Sequence, residues 1–137
     1  MTSLEYVRAE DQLPAGGEAP GGALRLAPLV GTWYATDQEA LGIVRLELHD
    51  SDGALLVRAF GADVTEPYDW GEVSGTPYGH GVTAVEAMAF SAIYDFGFLI
   101  TILSAYLIQG MLVLDTFNTF TDSSGRSNYF TREFFHR

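Results

Sequence analysis

FGFLITILSAYLIQGMLVL, residues 96–114, decides the fold. Its 19 residues carry no charge, a length at which an apolar helix crosses a bilayer. Three features read instead as two strands. The flanks are Asp95 and Asp115, not the arginines that anchor a cytoplasmic helix end. Gln109-Gly110 places a turn signal in the middle. The remaining residues are rich in Ile, Val, Thr, Phe and Tyr, which favour strands. The stretch therefore belongs to a hairpin, Phe98–Ile108 and Met111–Phe120, closed by a two-residue turn.

Working outward, the apolar pattern keeps a period of two, not 3.6. Strands are predicted at Val30–Thr36, Gly42–His49, Leu55–Phe60, Glu66–Val73 (irregular at its start because of Pro67), Ala84–Tyr94 and Ser127–His136. Ser74–Thr83, with its glycines and proline, reads as a loop. Together with the hairpin this makes an all-β chain of eight sequential strands. Closure removes exposed edges, so an antiparallel up-and-down barrel is expected, with a two-sheet sandwich as the alternative. Residues 1–28 form an N-terminal arm and residues 29–137 a single barrel domain.

Composition narrows the function. The chain has 137 residues and a net charge of −11, with seven arginines, no lysine and no cysteine. Its 47% hydrophobic content argues against disorder, and no disulfide can form. A pI near 4.4 disfavours nucleic acid and anionic membranes. Residues 1–28 lack the basic start and apolar core of a secretion signal, so a cytoplasmic location is expected.

The hairpin fixes a register. If Gln109-Gly110 is the turn, Ser104 faces Asp115 and Ile102 faces Phe117. If residues 122–125 close the next hairpin, Asp115 faces Arg132 and Phe117 faces Phe130. Gly31-Thr32-Trp33 opens the first strand and Arg132 lies late in the last. This combination, over residues 29–137, resembles the lipocalin and avidin superfamily, the calycins. The resemblance implies that Trp33 sits at a closed end with an arginine across it, and Trp33, Asp115 and Arg132 are expected to form that closing plug. The chain lacks the disulfide, secretion signal and C-terminal helix of secreted lipocalins. Tyr34-Ala35-Thr36-Asp37 replaces the glycine-rich run of haem-binding barrels, so no haem is expected.

A closed end at Trp33 puts the mouth at loops 37–42, 61–66, 95–97 and 121–126. Two copies of Tyr-Asp-aromatic-Gly fall there, Tyr68-Asp69-Trp70-Gly71 and Tyr94-Asp95-Phe96-Gly97. Asp and Gly in such a motif make turns. As a pocket entrance the same motifs would supply Tyr94, Asp95 and Asp69 as acid/base groups, with Tyr68 and Trp70 as walls. Phe98, Ile102, Phe117 and Phe130 are expected to point inward below them, with Thr119 and Asn128 nearer the rim. Asp37, Glu39, Asp63, Glu66, Asp69, Asp95 and Asp122 make the rim acidic, which repels anions and favours neutral or cationic ligands.

The three histidines, His49, His80 and His136, lack metal-ligand spacing, so no metal or other cofactor is expected. Thiol and lysine chemistry are unavailable. Two functions of different class remain. One is a cofactor-free cyclase or isomerase of natural-product biosynthesis, folding an apolar, polyketide-like substrate by proximity. The other is an intracellular carrier or sequestering protein for a hydrophobic small molecule, with the same pocket and no chemistry. A filled, oligomerising barrel is the bland third reading. Residues 98–108 are apolar on both faces, with Leu99, Leu103 and Leu107 expected outside. Such a face needs a cover, either the 1–28 arm or another subunit, and the expected partner is a second copy of the chain.

Overall fold

The structure, a computed structural model, describes residues 23–137. The reading of the first part of the arm falls on residues 1–22, outside the described residues. Eight strands follow one another: β1 (Gly31–Ala35), β2 (Ile43–Ser51), β3 (Ala54–Gly61), β4 (Tyr68–Tyr78), β5 (Ala89–Asp95), β6 (Leu99–Ile108), β7 (Met111–Phe120) and β8 (Tyr129–His136). Each pairs antiparallel with the next, and β8 returns to β1 to close the barrel. The seam is short, with only Tyr34↔His136 and Ala35↔Phe135 in register.

Residues 96–114 do not form a helix. Among the described residues no helix is long and apolar enough to cross a membrane. Gln109 (φ 50°) and Gly110 (φ 81°) form the tight turn between β6 and β7, as hairpin twist demands of a two-residue loop. Asp52-Gly53 does the same between β2 and β3. The resulting register places Ser104 opposite Asp115 and Asp115 opposite Arg132. Most boundaries agree with the sequence reading to within two residues, and two differ from it by five. β4 runs on to Tyr78 through Gly75 and Pro77, where a loop was expected, because its last four residues pair with β5. The segment before Ala89 is not strand; Arg25 bridges it at Glu86.

The side-chain face of three strands is opposite to expectation. Phe98, Ile102, Phe117 and Phe130 point outward, about half exposed. Leu103, Ala105, Leu112, Leu114, Thr101, Thr116 and Asn118 point inward and are buried. Leu103 and Leu107 are therefore inside, not on the covered outer face. Alternation couples the choice. Asp115 and Arg132 share a face with Phe117 and Phe130, and turning that face inward would bury an ion pair, at a cost of several kcal/mol per charge. The opposite face of β6 and β7 carries no charge, so it becomes the interior.

The lower half of the barrel is packed solid by Trp33, Leu46, Leu48, Leu55, Val57, Phe90 and Phe135, all essentially inaccessible. Leu26 and Leu29 close it from below, so the described end of the arm is part of the plug. Trp33 Nε1 donates to the Leu29 carbonyl at 2.9 Å. The arginine across Trp33 is Arg137, whose guanidinium carbon lies 4.4 Å from the indole centroid. Its Nη1 also donates to the Val30 carbonyl at 3.0 Å. Gly31 permits this passage, because a Cβ there would stand 3.1 Å from Arg137 Cδ. Arg132, expected in that role, lies mid-strand on the outer wall with Asp115. It makes a two-pronged pair at 2.7 and 3.0 Å and is too far along β8 to reach the closed end.

Candidate functional site: a half-depth cavity at the barrel mouth

The two Tyr-Asp-aromatic-Gly motifs meet at the mouth, and they do so by making the same turn twice. Asp69 Oδ1 accepts the Gly71 N–H at 2.8 Å, and Asp95 Oδ1 accepts the Gly97 N–H at 2.9 Å. Both glycines have positive φ, 85° and 87°. The first turn inserts a bulge into β4; the second is the β5–β6 connection. Trp70, Tyr94 and Phe96 then form one aromatic cluster. Trp70 sits edge-on to Tyr94 (5.4 Å) and to Phe96 (5.2 Å), which stack on each other at 5.8 Å.

The three groups expected to do acid/base work are held in structural roles. Asp69 and Asp95 cap their turns, and Asp69 also pairs with Arg58 at 3.3 Å. The Tyr94 hydroxyl is inside the wall. It donates to the Gly71 carbonyl at 2.7 Å and accepts the Ala59 N–H at 3.0 Å. It thus ties β5 to the bulged region of β3 and β4, where ladder bonds are interrupted. Burial pushes this hydroxyl above its ordinary value of 10.0.

Above the packed half lies a cavity of about 460 Å³. Trp70 and Tyr68 form one wall, Leu41 and Ile43 another, and Tyr129 a third. A wider depression of about 670 Å³ adjoins it between the 38–41 and 62–67 loops and shares Leu41, Ala62 and Asp63. Trp70 is seated by a missing side chain, since a Cβ on Gly61 would stand 2.6 Å from the indole Nε1.

The floor is polar. Thr101 Oγ1 donates to Asn118 Oδ1 at 2.8 Å, and Asn118 Nδ2 donates to Thr116 Oγ1 at 3.0 Å. Thr116 and Thr131 share a further hydroxyl–hydroxyl bond. Counting protons, one hydrogen serves that last bond. The second hydroxyl proton of the pair has no acceptor within this network. Thr116 and Thr131 both line the cavity, so its floor offers one O–H donor.

Of the residues expected to bind ligand, Tyr68 and Trp70 line this cavity. Phe98, Ile102, Phe117, Thr119 and Phe130 lie on the outer surface or rim. Asn128 caps the β7–β8 connection, its Oδ1 accepting the Phe120 N–H at 2.9 Å. Sequence reasoning missed Thr116, Asn118 and Thr131 because it assigned the other face of the same strands. The signal was present: Leu112, Leu114, Thr116 and Asn118 form an uncharged alternate series.

Acidic groups surround the mouth, and Arg126, the base expected in those loops, is paired with Asp122 at 3.0 Å. Glu133 faces inward on β8. Burial, reinforced by Asp37, raises its carboxyl above the usual range. Because the folded state binds this proton more tightly, stability falls as pH rises from the unfolded to the folded value. Glu133→Gln is therefore expected to stabilise the protein near neutral pH, by less than about 1 kcal/mol, and to leave its stability at pH 3 unchanged. Thermal melts of both proteins at the two pH values check this.

Among the described residues no group of three or more His, Asp or Glu side chains could hold a metal ion. The fold and cavity together define an eight-stranded antiparallel β-barrel with an open mouth. Comparison with protein families, with curated proteins and with solved structures gives no match.

Proposed function

We propose that this chain binds a small, largely apolar molecule at the barrel mouth as a calycin-like carrier or sequestering protein. The observation that carries the reading is the cavity itself: aromatic and aliphatic walls over a floor with one spare hydroxyl donor. Few polar groups in an apolar recess is the pattern of small-molecule sites. The donor suits a ligand with a carbonyl, ether or hydroxyl oxygen at its leading end. The acidic rim favours a neutral or cationic ligand over a fatty acid or phosphate. Gly31-Thr32-Trp33 at the closed end, with Arg137 over the indole, supports the likeness to lipocalins and avidins.

The cyclase or isomerase reading has less support. Tyr94, Asp69 and Asp95 are each committed to backbone hydrogen bonds. The cavity's ionisable lining is reduced to Asp63, Tyr68 and Tyr129.

Mass spectrometry of molecules carried through native purification tests occupancy, and a neutral environment-sensitive dye measures affinity. Trp70→Ala is expected to weaken dye binding about tenfold or more, as loss of an aromatic anchor does. Thr131→Val should cost a carbonyl-bearing dye about fivefold, with little effect on a hydrocarbon analogue. Saturable binding that ignores both substitutions would sink the assignment of this cavity.

A further inference from the structure

The outer wall of β5–β8 carries a level row of apolar side chains, Ile93, Ile102, Phe117 and Phe130, paired strand to strand. They are 40–59% exposed. A second row includes Tyr106 and Phe134, also exposed. Between the two runs a polar row, Ser91, Ser104, Asp115 and Arg132. We propose that the β7–β8 part of this face is the centre of a homodimer interface, formed with the two-fold axis running along the strands between β7 and β8.

Charge selects both the occupant and the axis. The chain as a whole carries −11, so two copies repel each other over most of their surfaces. Within these three rows the only charges are Asp115 and Arg132, which cancel. The proposed axis lays β7 of each copy on β8 of the other and keeps the rows level. Phenylalanine then meets phenylalanine, and the aspartate of each copy meets the arginine of the other. No unpaired charge is desolvated, which is the condition for burying ions without large loss.

Residues 1–22 are a poorer cover. They hold five large apolar side chains, Met1, Leu4, Tyr6, Val7 and Leu13, along with four acids.

Sedimentation equilibrium of the full chain across a dilution series tests the proposal. A dimer is expected, and Phe117→Glu with Phe130→Glu should raise its Kd about a hundredfold or more. Both side chains are half exposed in one copy, so far-UV circular dichroism should be unchanged. Asp115→Arg and Arg132→Asp chains should each self-associate poorly but dimerise when mixed. Should the double variant misfold, a single thiol at Ser104→Cys gives a second reading. Its maleimide labelling should be slow in the dimer and accelerate on dilution. A monomeric full chain overturns the proposal, as does a dimer indifferent to these substitutions. So does labelling that is fast at every concentration, or slow at every concentration in a monomer, the sign of cover by residues 1–22.

Discussion

Trp33→Ala should lower stability by about 3–5 kcal/mol, a large part of the 5–15 kcal/mol typical of a domain. Three losses combine. The indole is fully buried at the centre of the plug, and its removal opens a cavity between Leu26, Leu29 and the strands. The Leu29 carbonyl loses its donor. Arg137 loses the ring it covers. Thermal unfolding should shift down by roughly 10–20 °C. Arg137→Ala removes the cover over the ring and the hydrogen bond to the Val30 carbonyl and should cost about 1–2 kcal/mol. It should also shift Trp33 emission when Trp70 is replaced by Phe. Arg132→Ala should leave that emission unchanged, because its partner is Asp115 on the outer wall. Equal spectral shifts for the two arginine variants would contradict the assignment of the closed end.

Tyr94→Phe should cost about 1–3 kcal/mol, the penalty of leaving buried backbone groups unpaired. The lost oxygen serves the Ala59 N–H and the Gly71 carbonyl, and the bulge between β3 and β4 leaves them without ladder partners. The ring stays, so the stack with Phe96 and the edge contact with Trp70 persist. Ligand affinity should change much less than stability. An acid/base role would predict the reverse. The pH dependence adds a second readout. Burial raises the hydroxyl above 10.0, with Asp69 and Glu72 adding to it and the Ala59 N–H and Arg58 opposing. A raised folded value means the proton is held more tightly in the folded state. The linked stability is whole below about pH 10 and is lost as pH rises through the folded value. Denaturant midpoints of wild type and Tyr94→Phe should therefore differ most below pH 10 and converge above it. A gap constant to pH 11.5 would show that the hydroxyl does not titrate with unfolding.

Much of this was legible in the residues because it depends on local chemistry. Gln109-Gly110 supplies the positive φ a tight hairpin requires, and from it the pairing of Ser104 with Asp115 follows by counting. The 122–125 loop extends the count to Arg132. The repeated Asp-aromatic-Gly motifs announced turns, the second of them where β5 ends; that the first makes a bulge inside β4 came from the structure. Even the mouth loops followed once the strand order was known, since alternate connections of a meander lie at one end.

The inward face was another matter. A period of two divides each strand into two sets but does not say which set is inside. On β6 both sets are apolar. The decision came from β7 and β8, where Asp115 and Arg132 travel with Phe117 and Phe130, and from an interior already filled by Trp33, Phe90 and Phe135. That is a property of the closed barrel, not of any one strand. The same closure decided which arginine covers Trp33, because only the end of β8 passes over β1. It also assembled the cavity floor, bringing Thr116, Asn118 and Thr131 together from two strands with Thr101 of a third behind them. By itself, then, the sequence determined the number and order of the strands, the tight turn at Gln109-Gly110, the register of the last three strands and an acidic net charge. Tertiary structure decided inside from outside, since only closure compares the volume and charge of all eight strands at once.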